Sequence, residues 1–297
     1  MITLPNGVDH KKLLYSIKEM SWEISSLLLS YNKKVKTCLN INEELNIQNY
    51  SSGPVTDADL EISELIKNRL KTTFHDADWD FLSEEDCKSS QIKKIKSDWV
   101  WIIDPLDGTR DFIQSTGEYA MHLALTFKKI PILGIVLIPI MEELWIYVEG
   151  IGTWCEDKKE NKKEIQRINQ KEISQITIFT SKSHFHSKFN NLLEELNPAR
   201  VVGMGSVGFK VASILRGEGD LYISYSLKEG SSPKDWDMAA PESLIRGIGG
   251  FFTDVKGKNL KFLKTGNFDQ GGILIASMNT NHKSICKRID ELINRKF

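Results

Sequence analysis

The stretch from Trp99 to Phe112, WVWIIDPLDGTRDF, constrains the fold of this chain more than any other. Trp99 to Ile103 is a short run of aromatic and β-branched residues ended by Pro105 and Gly108, and such a run reads as a buried strand closed by a tight turn. The strand brings Asp104 and Asp107 into one small volume. Two carboxylates at the end of an apolar strand repel each other and lose hydration, so they are best tolerated with a cation between them, for which Mg²⁺ is the natural candidate. A second reading stands beside this one: the two side chains can simply cap the turn that follows.

With 297 residues the chain can bury a large core, and it lies near the size at which one core divides into two lobes. Its 39 Lys and Arg nearly balance 40 Asp and Glu, for a net charge of −1, so no molecule-wide field is available to hold a nucleic-acid polymer or an anionic membrane. Cys38, Cys87, Cys155 and Cys286 form no C-x-x-C pair, which argues against a zinc ribbon or a disulfide framework and suits a reducing compartment. With no secretory signal in view, a cytoplasmic location is expected. The longest apolar stretch, Ile130 to Ile140, is interrupted by Pro131 and Pro139 and is too short to span a bilayer.

Along the chain, apolar residues at helical spacing from His10 to about Leu29 predict an amphipathic helix packed on the sheet. In SSGPVTDADLEISELIKNRLK, Thr56 or Asp57 can cap a helix whose apolar side carries Leu60, Ile62, Leu65, Ile66 and Leu70, which puts Asp59 in the first turn. Asp59 there has a sufficient explanation as a partner of the helix dipole. Glu84 and Glu85 follow an apolar run ending at Leu82. A solvated acidic turn is the default, although Glu84 lies close enough in sequence to the Asp-rich strand to join a cation site. Met121 to Phe127, Ile132 to Ile138 and Leu144 to Val148 read as neighbouring strands. The charged run between Cys155 and Glu172 reads as a hairpin tip or an inter-lobe connection.

A second α/β pattern follows: strand Ile176 to Thr180, helix Ser183 to Leu196, strand Val201 to Met204, helix Val207 to Leu215 and strand Leu221 to Tyr225. GSVGFK, Gly205 to Lys210, joins a strand to a helix, where backbone N–H groups favour anions, although glycines often serve only the turn. Asp237 is expected as N-cap of a helix over Met238 to Ile248. A strand over Ile273 to Ser277 and a helix over His282 to Arg295 close the chain. His10, His75, His122, His186 and His282 show no metal-ligand spacing and are assigned to surface or packing roles.

PVTDAD (Pro54 to Asp59), SEE (Ser83 to Glu85), DPLDGTRDF (Asp104 to Phe112) and WDMAA (Trp236 to Ala240), taken together and in this order, resemble the magnesium-dependent, lithium-sensitive phosphatases of the inositol monophosphatase superfamily. TSKSH (Thr180 to His184), GSVGFK and SSPKDWDMAAPE are most similar to the branch that removes the 3′-phosphate from adenosine 3′,5′-bisphosphate. The resemblance implies an α/β fold, a five-layered α/β/α/β/α sandwich, formed by residues 1–297 as one phosphatase domain. Its N-terminal lobe, about 1–172, would carry most metal ligands, and its C-terminal lobe, about 173–297, the substrate loops and Asp237. Glu84, Asp104, the Leu106 carbonyl, Asp107 and Asp237 would hold two or three Mg²⁺ ions, with Li⁺ as an inhibitor. Asp59 and Thr109 would orient and deprotonate an attacking water. Gly108, Thr109, Ser181, His184, Gly205, Ser206, Lys210 and Asp237 would face the substrate.

What the resemblance implies further is 3′(2′),5′-bisphosphate nucleotidase activity on a small phosphate ester, extending to 3′-phosphoadenylyl sulfate, with a place in sulfur assimilation and a monomer or homodimer in solution. The chemistry itself calls for an in-line nucleophile and paired metals about 4 Å apart. Departures are Ser231, Ser232, Pro233 and Lys234 where relatives carry an Arg, and Asp111 where many carry Asn. Three rivals remain. Inositol monophosphatase or fructose-1,6-bisphosphatase activity would use the same metal site. A haloacid dehalogenase-type phosphatase is disfavoured by the spacing, since its two carboxylates stand two apart and Asp104 and Asp107 stand three apart. A non-catalytic nucleotide-binding protein would be expected to have lost a carboxylate of the set, and none is lost.

Overall fold

The computed structural model describes residues 3–37, 44–50, 53–89, 94–165, 170–182, 187–226, 232–264 and 268–296. Helix α1 (His10–Thr37) buries Leu13, Ile17, Met20, Ile24 and Leu28, one stripe of a 3.6-residue period. It runs past Leu29 because Asn32 and Val35 continue the buried face. Strands β1 (Gln48–Tyr50) and β2 (Gly53–Val55) form a small antiparallel ribbon that the sequence pattern did not reveal. Helix α2 (Asp57–Thr73) starts at Thr56, its N-cap, with Asp59 at the third helical position closing a capping box. Leu60, assigned to the apolar side, is instead 41% exposed, since Ala58, Asp59, Ile62 and Ser63 define the buried face and position 60 turns away from it.

A seven-stranded sheet then forms from β3 (Asp80–Ser83), β4 (Trp99–Asp107), β5 (Ala120–Phe127), β6 (Ile130–Ile138), β7 (Glu143–Val148), β8 (Gly152–Glu156) and β9 (Lys162–Lys163), ordered as in the chain. The β3–β4 pair is parallel and the later pairs are antiparallel. Two short helices interrupt it: α3 (Glu84–Lys88), directly after β3, and α4 (Thr109–Ile113), directly after the β4 turn. Glu84 and Glu85 therefore open a helix and do not form the expected solvated turn; Glu85 is buried.

The second sheet is built from β10 (Thr177–Ser181), β11 (Arg200–Met204), β12 (Leu221–Ser226), β13 (Phe251–Asp254) and β14 (Gly272–Ser277), in the order β11-β10-β12-β14-β13. Its helices are α5 (Ser187–Leu196), α6 (Val207–Leu215), α7 (Asp235–Gly247) and α8 (His282–Lys296). Helix α7 starts ahead of the expected position: its N-cap is Lys234, and Asp237 stands at the third helical position.

Three apolar clusters separate the layers. The first joins α1 and α2 to one face of the seven-stranded sheet through Ile17, Ile62, Trp101 and Leu123. The second puts α6 and α7 between the two sheets, with Val211, Ala240 and Leu244 meeting Val136 and Trp145 on one side and Tyr222 and Leu274 on the other. The third packs α5 and α8 on the outer face of the five-stranded sheet through Phe189, Ile223, Ile275 and Ile289. This is the five-layered α/β/α/β/α sandwich. Among the described residues no helix is long and apolar enough to cross a membrane.

Candidate active site

The β4 strand is apolar and fully paired from Trp99 to Ile103, and it delivers Asp104 opposite His122 on β5 before the ladder breaks between Asp104 and Asp107. Strand geometry continues through Pro105, beyond the end expected at Ile103, and Gly108 then turns the chain at φ 88°. A Cβ at Gly108 would lie 2.9 Å from the Glu118 carbonyl oxygen, so both conformation and space require glycine here. Asp104 is 1% exposed; one oxygen accepts the Leu106 N–H at 3.1 Å, and the other receives no hydrogen bond from any donor among the described residues.

Asp237 reaches the same place from the first turn of α7, where its carboxylate also accepts the Lys234 N–H. Asp104, Asp107 and Asp237 each offer one oxygen within 4.8 Å of the others. Burial, with the neighbouring Asp107 and Glu84, raises the carboxyls of Asp104 and Asp237 well above the ordinary carboxylate range. A buried, unpartnered oxygen beside two further carboxylates is a hard, all-oxygen donor set suited to Mg²⁺, so the residues fit a divalent ion. Glu84, at the start of α3, borders the same cavity of about 410 Å³ together with Leu106, Gly108, Thr109, Ser181 and Gly205.

Asp59 is buried beside this cluster. Its Oδ2 accepts the Thr56 N–H at 2.7 Å and the Thr56 hydroxyl at 2.6 Å, while Oδ1 lies 3.3 Å from the Thr109 hydroxyl. Thr109 Oγ1 is also 3.0 Å from the Leu106 carbonyl. Burial, only partly offset by the Thr56 hydrogen bonds, pushes the Asp59 carboxyl up to about 6.

The α6 N-terminus meets an anion, but that anion is the chain's own Asp107. Asp107 Oδ2 accepts from Ser206 Oγ at 2.7 Å, Val207 N at 2.5 Å and Gly208 N at 3.4 Å, while Ser206 Oγ in turn accepts from Phe209 N. Gly205 N donates to Glu118 Oε2 and Ser206 N to the Glu118 carbonyl. The donors that the sequence assigned to substrate at Gly205 and Ser206 thus hold the two sheets' loops together in this structure. Lys210 is not solvated, although it borders the other half of the cavity with Ser181 and Tyr222. It is 1% exposed, donates to the carbonyls of Met204 and Gly205, lies 5.3 Å from the Tyr222 ring centre, and is pulled down to about 8 by burial. His184 lies outside the described residues.

Sequence reasoning missed several neighbours. His122 is buried with Nε2 3.3 Å from Asp107 Oδ2, and burial lowers its pKa. A His inside the apolar strand AMHLALTF was the available signal. A Cβ at Gly208 would lie 2.2 Å from that ring nitrogen, so this glycine permits close approach to His122, a role beyond turning the chain. Lys182 binds Asp111 and Glu118, each at 2.7 Å, which gives Asp111 a structural task. Lys88 contacts Glu84, and the side chain of Arg110, exposed at the cavity mouth, makes no hydrogen bond or ion pair with a described residue.

The profile of the inositol monophosphatase family matches residues 10–294. The chain is 28% identical over 225 residues to the 3′(2′),5′-bisphosphate nucleotidase CysQ of Escherichia coli K12, covering 76% of this chain and 86% of that protein. It is 26% identical over 246 residues to CysQ of Buchnera aphidicola from Acyrthosiphon pisum, covering 82% and 88%. Among solved structures it is similar to the extragenic suppressor protein suhB of Bartonella henselae, with TM-score 0.74, 21% identity and 96% and 99% of the two chains covered. A second is an IMPase/NADP phosphatase complexed with Mg²⁺ and phosphate, with TM-score 0.66, 20% identity and 90% and 95% covered. A sandwich with its carboxylates gathered at the junction of two sheets, and a profile match over nearly its whole length, place the chain in the inositol monophosphatase family.

Proposed function

We propose that the chain is a Mg²⁺-dependent phosphomonoesterase that removes the 3′-phosphate of adenosine 3′,5′-bisphosphate, and that of 3′-phosphoadenylyl sulfate, by direct attack of water. The observation that carries the reading is the approach of Asp104, Asp107 and Asp237 to within 4.8 Å at the cavity between the sheets. The nucleotidase names of the relatives in E. coli and Buchnera support the substrate. Glu84, Asp104, the Leu106 carbonyl, Asp107 and Asp237 would hold the metal. Divalent ions bound there supply neutralisation of charge on the phosphoryl oxygens and acidification of a water.

The chain's own residues then have distinct tasks. Asp59, pushed up to about 6, is suited to accept a proton near neutral pH. Thr109 can share its hydroxyl proton with the Leu106 carbonyl and keep its lone pairs toward the cavity, where they orient the nucleophile. Ser206 and the α6 N–H groups aim Asp107. The second phosphate falls to groups facing the other half of the cavity, Ser181 and the guanidinium of Arg110, both of which line it. Lys210, turned inward, fixes the Gly205 loop. The division into lobes near residue 172 belongs to this reading and is supported by the two sheets, which use residues 80–163 and 177–277.

The test is phosphate release from four esters with and without Mg²⁺. Adenosine 3′,5′-bisphosphate is expected to exceed inositol 1-phosphate and fructose 1,6-bisphosphate in kcat/KM by about a hundredfold or more, the discrimination available from one or two charge-assisted contacts. Li⁺ is expected to inhibit. A better rate on either sugar ester would transfer the proposal to that substrate class, and trapping of a phosphoenzyme would end the direct-water mechanism.

A further inference from the structure

One cation stands inside the carboxylate cluster as part of the chain. Lys88 ends the short helix α3, one turn after Glu84, and its Nζ lies 2.8 Å from Glu84 Oε1 and 3.2 Å from Glu85 Oε1. Its side chain is 6% exposed and borders both halves of the active-site cavity, beside Asp104, Asp107 and Asp237. Glu85 is 5% exposed and is absent from the residues lining either half. The ammonium therefore has two anchors one residue apart, of which one faces the cavity and the other is withdrawn from it.

A carboxylate already bonded to an ammonium must lose that bond, or share it at the cost of cation–cation repulsion, before it can bind a divalent ion. From these contacts we infer that Lys88 is a tethered cation that competes with divalent metal for Glu84 and retires to Glu85 when the metal binds. Lys88 is in this sense a positioning residue, setting how tightly the site takes its ion and offsetting part of the cluster's charge without one. The inference rests on the divalent-metal part of the proposed function and not on its substrate.

The experiment is calorimetric titration of Mg²⁺ into the full chain without substrate, for wild type, Lys88→Met, Lys88→Arg and Glu85→Gln. Lys88→Met is expected to bind at least about tenfold tighter, Lys88→Arg to stay near wild type, and Glu85→Gln to bind more weakly because the ammonium has lost its retreat. The same variants read by thermal melting should show a lower metal-free midpoint and a larger Mg²⁺-induced rise for Lys88→Met. A residue that merely supports α3 would weaken metal binding when removed, so weaker or unchanged affinity in Lys88→Met overturns the inference. Should Lys88→Met fail to fold, unchanged or tighter binding in Glu85→Gln overturns it alone. Absence of Mg²⁺ binding in wild type would overturn the metal reading itself, a result distinct from equal affinities across the set.

Discussion

Asp107 carries two burdens, as a cluster carboxylate and as the acceptor of three groups at the start of α6. Asp107→Asn keeps an oxygen for those donors but lowers the charge offered to a metal, so turnover is expected to fall at least tenfold while circular dichroism stays that of the wild type. Steady-state rates and spectra measured together check this. Thr109→Ala should lower kcat far more than it weakens Mg²⁺ or substrate binding, because the hydroxyl acts on the nucleophile; an effect confined to KM would reassign it. At this scale the sequence was readable wherever chemistry and local pattern coincide. Asp59 follows Thr56 at capping-box spacing, and Asp104 and Asp107 end an apolar strand. It was unreadable where a side chain's direction decides: Lys210 stands in an apolar helix and Lys88 among polar residues, and only packing shows that both side chains are buried.

Elements explain the remaining misses. Asp235 and Asp237 both precede the α7 apolar face and either can begin a helix; the structure buries Asp235 against the Leu263 N–H and Gln270 and leaves Asp237 one position pair further in. Strand β13 follows two glycines directly, and its four residues are too short for a period to show. Helix α6 lies so close to β5 that Gly208→Ala would drive a methyl into His122 and Val136 Cγ1. A loss of about 1–3 kcal/mol is expected by denaturant unfolding, and His122→Ala in the same chain should recover part of it. At the start of α8, His282 has Nε2 2.8 Å from Thr253 Oγ1 and Nδ1 2.8 Å from Ser277 Oγ, and burial pulls it down to about 4. The unfolded ring, with a pKa near about 6.5, binds a proton that the folded ring refuses. Stability is therefore complete above about pH 6.5 and is lost as pH falls toward 4, by about 2 kcal/mol between pH 7 and 5. Urea unfolding at the two pH values should show a smaller difference in His282→Gln.

For the whole molecule, the layers followed from the family resemblance; the outer helices bury one apolar face each, while α6 and α7 are buried against a sheet on both sides. What the sequence could not show is how the sheets are joined at the site, since the Asp107–Ser206, Gly205–Glu118 and Lys182–Asp111 contacts link positions far apart in the chain. Mg²⁺ should raise the melting midpoint in proportion to the logarithm of its concentration above the dissociation constant, and Asp104→Asn should abolish that rise, which a thermal-shift titration reads directly. The grip of Ser206 and the α6 amides on Asp107 has a bearing on heredity. Ser206 and Gly208 carry no charge and lie a hundred or so positions from Asp107 in the chain, yet natural variants at either would be inherited as defects of the same centre, and a second change that repairs one should be sought across the gap, among β5 residues facing α6.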